Sequence, residues 1–193
     1  MFEQSFPELL AALKSDIYKY SGRHGVTAFI KAYILLPGFR FMYCWRITKY
    51  LKNKKVFKYT LYPFARLILF HHAYRFGFDI PVSTQIDLGF SIAHFGTIII
   101  NGKTKIGRNV LIQPGVLIGE TNRGKNPGAP VIGNDAHIGA GCKIIGGVVI
   151  GNNVAIGANS VVTKSIPDNA VVVGIPGQII SYDGAQNFVV NRV

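Results

Sequence analysis

The amino-acid sequence predicts a mainly β protein, in which a parallel β-solenoid follows a helical N-terminal domain. One observation is a six-residue spacing of Ile and Val through the second part of the chain, and another is a change of composition near residue 77. Apolar residues make up 49% of the 193 residues and charged residues 16%, which is typical of a folded globular protein rather than a disordered chain.

The repeat consists of three series of apolar residues at six-residue steps, within residues 80–98, 106–118 and 132–162. No α-helix has this period, and hairpins are rarely so regular. We predict one short strand and one turn in each unit, with three units in each triangular coil and the leading Ile pointing inward. Gly and Asn are frequent near the turns because they tolerate the dihedral angles of tight corners.

Two interruptions of the repeat are candidate functional positions. The step from Ile98 to Ile106 is eight residues, and the step from Ile118 to Ile132 is fourteen, which we interpret as two units plus two residues. The longer step contains a polar loop, TNRGKNPGAP (121–130), and loops on a rigid scaffold often carry function. A histidine, His94 in SIAHFGT, stands near a corner where most units have Gly, Asn, Val or Ala. From the residues alone it is either a solvated polar residue or a catalytic base.

The segments FGFDIPVSTQI, IAHFGTIIINGKT and VLIQPGVLIGET resemble the serine O-acetyltransferases and their relatives in polysaccharide biosynthesis, within the hexapeptide-repeat acyltransferases. The resemblance covers residues 77–180 and implies a left-handed parallel β-helix and a homotrimer. In that family an Asp precedes the catalytic His by fifteen residues, as Asp79 precedes His94. It implies that His94 is the general base toward the acceptor hydroxyl, oriented by Asp79 from the neighbouring coil. Gly119 matches the family position whose backbone N–H stabilises the oxyanion.

The same resemblance implies acetyl-CoA as the co-substrate. By the match of IGAG (138–141) and IGANSVVTK (156–164), the backbone at Ala140 and Ala158 lines the pantetheine groove between two subunits. Thr163 and Lys164 would approach the adenosine end, with Lys164 paired to phosphate.

No metal is expected at this site. The solenoid segment has only two histidines, His94 and His137, too few for the three-histidine zinc site of β-helical carbonic anhydrases. We interpret His137 as a corner residue beside the CoA groove.

Three positions depart from the serine enzymes. Those enzymes have an Asp directly before the catalytic His and an Arg-His pair in the loop, where this chain has Ala93, Gly128 and Ala129. We therefore expect a small-molecule or glycan acceptor, namely a hydroxyl of a sugar or polysaccharide intermediate. The alternative is a serine O-acetyltransferase of cysteine biosynthesis. A non-catalytic assembly protein on the same scaffold is a further alternative, against which the Asp79–His94 pair argues.

The predicted N-terminal domain (1–76) is basic and aromatic, and we expect helices over 8–20, 27–36, 39–55 and 64–76. Residues 1–78 contain thirteen Lys and Arg against three acids, and 19 of the 23 aromatic residues. Such a surface either packs within the oligomer or contacts an anionic membrane peripherally. No nucleic-acid motif is present, so we expect no nucleic-acid partner.

No signal peptide and no run of eighteen apolar residues is visible, so we expect a cytoplasmic location, with or without contact with the inner face of the membrane. The predicted solenoid spans 77–180. The tail, 181–193, gives no structural signal.

Overall fold

Four α-helices form the N-terminal part of the computed structural model, which describes residues 5–193; residues 1–4 of the predicted helical domain lie outside that range. The helices are α1 (Phe6–Ser21), α2 (Val26–Leu35), α3 (Pro37–Lys52) and α4 (Leu61–Phe76). Helix α1 begins at a capping box, in which the Ser5 hydroxyl accepts from the Glu8 N–H and the Glu8 carboxylate accepts from the Ser5 N–H. All four predicted helices are present, within a few residues of the expected bounds.

Fifteen short strands follow in the described part of the chain. They are β1 (Phe78–Asp79), β2 (Gln85–Ile86), β3 (Ser91–Ile92), β4 (Ile98–Ile100), β5 (Lys105–Ile106), β6 (Leu111–Ile112), β7 (Leu117–Gly119), β8 (Val131–Ile132), β9 (His137–Ile138), β10 (Lys143–Ile145), β11 (Val149–Ile150), β12 (Ala155–Ile156), β13 (Val161–Val162), β14 (Val171–Val173) and β15 (Gln178–Ser181).

The strands form three sheets that are the faces of a triangular solenoid. Sheet A contains β1, β4, β7, β10 and β13, sheet B contains β2, β5, β8 and β11, and sheet C contains β3, β6, β9, β12, β14 and β15. All pairs are parallel except β14–β15, which is antiparallel. The leading residues Ile112, Ile138 and Ile144 are fully buried, as the six-residue period predicted. Coils of this kind bury their apolar residues only by stacking on one another.

The strand register corrects the position of the shorter interruption. In the regular coils, paired residues such as Lys143 and Val161 are 18 positions apart, but Ser91 pairs with Leu111, 20 positions on. In sheet A, Phe78 pairs with Ile98, again 20 positions on, whereas Ile100 pairs with Ile118, 18 positions on. The two extra residues therefore lie between Ile92 and Ile98, and not between Ile98 and Ile106 as predicted. The enlarged corner is the one that carries His94.

The longer interruption is also divided differently from the prediction. Lys105 pairs with Val131, 26 positions on, which is one regular coil plus eight residues. The fourteen-residue step is therefore one unit with an eight-residue insertion, rather than two units plus two residues. The insertion is the loop 121–130, closed by a pair of backbone hydrogen bonds between Thr121 and Gly128 at 3.1 and 2.8 Å.

The helices pack on the first coil and share its core. The indole N–H of Trp45 donates to the Ile80 carbonyl at 3.0 Å, and the Ile92 N–H donates to the Tyr20 hydroxyl at 2.7 Å. The Arg46 guanidinium donates twice to Asp16, at 3.0 and 3.2 Å, in a pair that is almost fully buried. The helices and the solenoid are therefore held by a continuous apolar core with specific polar contacts. No helix within residues 5–193 has both the length and the apolar character to cross a membrane.

The C-terminal tail runs back along the corner between sheets B and C. Its N–H groups at Gly184 and Ala185 donate to the corner carbonyls of the last coils, at 2.9 and 3.1 Å. Arg192 lies 3.5 Å from Asp135, and the Lys19 ammonium of α1 donates to the Val190 carbonyl at 2.6 Å. The tail thus connects the last coil to the first helix, a role that the sequence did not indicate.

Candidate active site at the edges of sheet A

The corners that connect sheet C to sheet A stack into one edge, here called the His94 edge (residues 93–97, 113–115, 139–141 and 157–159). Backbone hydrogen bonds link successive corners: Gly115 N–H to the Thr97 carbonyl at 2.7 Å, Gly141 N–H to Pro114 at 2.8 Å, and Asn159 N–H to Ala140 at 2.7 Å. The structure therefore brings three predicted site positions, His94, Ala140 and Ala158, onto the same edge. All three are exposed.

The corner that carries His94 has a fixed backbone and a free side chain. The Gly96 N–H donates to the Phe76 carbonyl at 3.0 Å, and Gly96 has a φ of 144°, a conformation that side-chain-bearing residues rarely adopt. Among the described residues, no group forms a hydrogen bond or an ion pair with the His94 imidazole. Beside it, the Phe95 ring is 68% exposed. Both ring nitrogens of His94 are therefore available to a substrate and to a positioning carboxylate.

Asp79 lies in the neighbouring coil, as predicted, on the outer face of sheet A. It is exposed and pairs in register with Ile99 of β4. Within residues 5–193 no hydrogen bond joins its carboxylate to His94, because Asp79 lies along the strand while His94 lies at the corner before it. Catalytic hydrogen bonds are often longer before substrate binds, so this geometry does not exclude the predicted pair.

The opposite side of sheet A is a second edge, the loop edge (residues 101–104, 119–130, 146–148 and 163–165), where the chain passes from sheet A to sheet B. The Gly119 carbonyl accepts from the Gly146 N–H at 2.9 Å, and the Asn126 side chain of the loop donates to the Thr163 carbonyl at 3.4 Å. Gly119, Thr163 and Lys164 are therefore on the loop edge, and the last two are exposed.

The predicted site residues thus fall on two edges with sheet A between them. His94, Ala140 and Ala158 are together, Gly119, Thr163 and Lys164 are together, and Asp79 is on the face. A single chain does not bring the base, His94, next to the predicted oxyanion donor, Gly119.

A lysine that the sequence did not single out lies close to the His94 edge. The Lys143 ammonium donates to the carbonyls of Gly115 and Gly141, at 2.6 and 3.0 Å, and joins two successive corners beside Ala140. A lysine at an outward position of a strand usually indicates a solvated side chain, so sequence gave no signal for this role.

A second unpredicted group is on the loop edge, directly after Gly119. The Glu120 carboxylate accepts from the Lys103 ammonium at 2.7 Å and from the Asn101 side chain at 3.4 Å. These side chains are candidates for contact with an acceptor, because carboxylate, ammonium and amide groups all hydrogen-bond hydroxyls.

The position predicted for His137 is wrong. His137 is in β9 on the outer face of sheet C rather than at a corner beside the CoA groove. The Phe188 ring of the tail stacks on it, and burial lowers the pKa of the imidazole. No group of three metal-ligating side chains with suitable geometry occurs in the described residues.

A triangular parallel β-helix built from six-residue units, with an outlying loop, defines the hexapeptide-repeat class of transferases. The bacterial transferase hexapeptide family (six repeats) matches residues 129–164. The chain belongs to the hexapeptide-repeat acyltransferase family.

Its relatives carry one name. Serine acetyltransferase of Staphylococcus xylosus is 39% identical over 130 residues, which are 67% of this chain and 60% of that relative, so the chain spans less than two thirds of its length. The solved structure of serine acetyltransferase from Brucella abortus strain S19 is 30% identical with a TM-score of 0.75, and the match covers 93% of this chain and 71% of that one. The structure of that enzyme in complex with coenzyme A is similar (29% identity, TM-score 0.75, 91% and 69% covered).

Proposed function

We propose that this protein is an acetyl-CoA-dependent O-acetyltransferase. The observation that carries the proposal is the His94 edge, on which an exposed histidine at an enlarged corner is aligned with the exposed corners Ala140 and Ala158. Small residues at these corners leave the backbone accessible to an extended pantetheine chain. The family membership and the serine acetyltransferase structure with bound coenzyme A support the same assignment.

The reaction is a direct transfer. His94 takes the proton of the acceptor hydroxyl while its oxygen attacks the thioester carbonyl of acetyl-CoA. The backbone N–H of Gly119 donates to the oxyanion of the tetrahedral intermediate. The carbon–sulfur bond then breaks, the CoA thiolate takes the proton from the His94 imidazolium, and the acetyl ester leaves. Asp79 holds the imidazole in the tautomer that this requires.

A homotrimer supplies the second edge. Along the outer face of sheet A, Ile99 is 39% exposed and Leu117 and Val161 are half-buried, which gives an apolar strip between the two edges. Packing of this region against a neighbouring chain would place the loop edge of one subunit against the His94 edge of the next. Gly119, Thr163 and Lys164 then complete the site that His94, Ala140 and Ala158 begin.

The acceptor that the comparisons favour is L-serine. The matching relatives and structures reported above are named serine acetyltransferase, and none is named for polysaccharide modification. They therefore support the alternative from the sequence, the serine O-acetyltransferase of cysteine biosynthesis, better than the sugar acceptor that we expected first.

A specific observation keeps the sugar acceptor as the second candidate. Ala93, Gly128 and Ala129 provide no charged group where the resemblance implies an Asp, an Arg and a His for the ammonium and carboxylate of serine. Glu120 and Lys103 remain near the loop edge, where they could contact hydroxyl groups as well as charges.

The test is release of CoA thiol from acetyl-CoA with L-serine or with a panel of sugars and lipid-linked glycans. We expect His94→Ala to lower kcat by about 10²–10⁴-fold, and Asp79→Asn to lower it less, with the KM for acetyl-CoA unchanged in both. His24→Ala, an exposed histidine on the helical part, is the matched control. Turnover with serine confirms the first candidate and turnover with a glycan alone confirms the second. No thiol release with any acceptor, or full activity of His94→Ala, contradicts the proposal.

A pair of substitutions separates the two acceptors further. Ala93→Asp with Ala129→His restores two of the implied serine contacts and leaves Gly128 unchanged, since its φ of 122° would strain a side chain. If the wild-type acceptor is a glycan, the double variant should gain turnover with serine. If serine is already the acceptor, the KM for serine should change little.

A further inference from the structure

The helical part of the chain has a single sign of charge over a long segment. Residues 17–78 contain twelve Lys and Arg and no Asp or Glu. Within this segment the turn before α4 has three lysines in five residues, KKVFK (54–58). A positive surface of this density attracts anionic partners over distances of about 10 Å at moderate ionic strength.

Helix α4 and the turn before it also expose an unusual amount of apolar surface. Only Leu69 and Phe76 of the sixteen α4 residues are buried. The side chains that remain open are here called the α4 surface, and each is between 52% and 82% exposed: Val56, Tyr59, Leu61, Phe64, Leu67, Ile68 and Tyr74. Contiguous exposed apolar side chains on a soluble fold mark an interaction site.

The spacing places these side chains on one stripe of the helix. Phe64, Leu67, His71 and Tyr74 follow one another at steps of three, four and three residues, so they project from the same side of α4. All four face away from α3, against which α4 packs through its other side. The stripe is therefore an outward apolar face and not a part of the core.

Cations border this stripe at both of its ends. Lys55 and Lys58 are exposed in the turn, Arg66 and Arg75 are exposed along the helix, and the Lys58 ammonium is 5.5 Å from the centre of the Tyr59 ring. Lysine and arginine can keep their charges at a polar boundary while their methylene chains cover an apolar surface. An apolar stripe bordered by cations, with aromatic rings between, is the arrangement of helices that lie in the interface of a membrane.

We propose that the α4 surface docks on an anionic phospholipid bilayer, with Phe64 and Leu67 in the acyl boundary and Lys55 and Lys58 at the headgroups. Charge complementarity selects this occupant over a second copy of the chain. A two-fold contact through α4 would bring two segments of the same positive sign together without an acid between them. The contact is peripheral, since the helix is too short and too polar to span a bilayer.

The first test is flotation of the full-length protein with vesicles of phosphatidylcholine, with and without phosphatidylglycerol. We expect binding only to the anionic vesicles, and loss of binding at high salt. Lys55→Gln with Lys58→Gln should lower the partition coefficient about thirtyfold, since each lysine near the surface contributes roughly fivefold. The matched control is Lys105→Gln with Arg108→Gln, which removes the same charge from exposed positions of the solenoid. Equal binding to both vesicle types, no binding to either, or an equal loss in both double variants would overturn the proposal.

A second measurement reports insertion and tests for a protein partner. The chain has one Trp, the buried Trp45, so the added fluorescence of Leu67→Trp reports the α4 surface. We expect its emission to shift to the blue with anionic vesicles. Phe64→Ser with Leu67→Ser should abolish flotation and leave the oligomer size in sedimentation velocity unchanged. If that variant instead dissociates the oligomer, and wild type does not float, the α4 surface is an interface between copies of this chain.

Discussion

The Phe188 ring stacks on the His137 imidazole, with centroids 4.7 Å apart and ring planes 19° apart. This contact joins the tail to the middle of sheet C and covers a histidine whose Nδ1 has no hydrogen-bond partner in the described chain. Burial lowers the pKa of His137 below its usual value of 6.5. The tail therefore holds a neutral imidazole against the solenoid.

Removing that ring should change the titration of His137. In Phe188→Ala we expect the pKa of His137 to rise toward 6.5, because water regains access to the charged form. In the wild type the unfolded chain takes up the proton first, so stability falls as the pH drops below 6.5, and the variant should lose part of this dependence. NMR titration of the His137 ring measures the first effect. Val190→Ala, an exposed tail residue, should leave that pKa unchanged.

The buried pair of Arg46 and Asp16 should be costly to break. Asp16→Asn leaves the Arg46 charge buried with only neutral partners, and we expect a loss of about 3–5 kcal/mol in the free energy of unfolding. Urea denaturation measures it. The exposed pair of Lys103 and Glu120 provides the comparison, where Lys103→Ala should cost less than about 1 kcal/mol. Similar losses in both variants would mean that burial does not set the strength of the Arg46 pair.

Stability should rise with pH in the weakly alkaline range. Burial lowers the pKa of Lys49 from 10.5 to about 8, and that of Lys19 likewise. Between these values the unfolded chain binds more protons than the folded one, so the free energy of unfolding increases as the pH rises above 8. From about pH 10 the buried Tyr20 opposes this, because its pKa is raised on folding.

Lys49→Met tests the assignment. Methionine keeps the contact with the Trp45 ring, from which the Lys49 ammonium is 4.7 Å distant, but cannot titrate. The slope of stability between pH 8 and 10 should fall to roughly half, since Lys19 still contributes. An unchanged slope in urea denaturation at several pH values would show that Lys49 is not one of the groups responsible.

The His94 edge should tolerate little added volume. A Cβ on Gly139 would lie 2.6 Å from the Ile156 carbonyl and 2.8 Å from the Ala158 nitrogen, so Gly139→Ala must displace the next corner. We expect kcat/KM for acetyl-CoA to fall about ten- to a hundredfold, through KM. Gly102→Ala is the matched control, because the atom nearest to its Cβ is the rotatable Ser83 hydroxyl. Equal kinetics in the two variants would contradict the placement of acetyl-CoA on this edge.

Much of the fold could be predicted because burial requires one apolar residue in each six-residue unit. The position of the enlarged corner could not, since Ile98 and Ile100 are both buried and the period alone does not distinguish them. Only the register of β4 against β1 and β7 shows which residues are extra. The sequence therefore indicated His94 but placed the eight-residue step on the wrong side of it.

The candidate site was predictable in its residues and less so in its arrangement. Counting 18 positions from Ala140 gives Ala158, so their common edge follows from the period. That Gly119 lies on the other edge follows only from the strand topology. The tail could not be predicted, because its contacts are mostly backbone hydrogen bonds to corner residues such as Asn153 and Asn109, which carry no periodic signal.

The tail has a consequence for how the protein comes apart. A solenoid is stabilised by contacts between neighbouring coils, so such proteins tend to fray from their terminal repeats. Here the Val193 N–H donates to Asn109 in the second coil at 2.9 Å, and the Val190 carbonyl accepts from Lys19 in the first helix. The last coil cannot separate without releasing contacts on the first, so the linear stack is closed like a loop and should melt in a single cooperative transition.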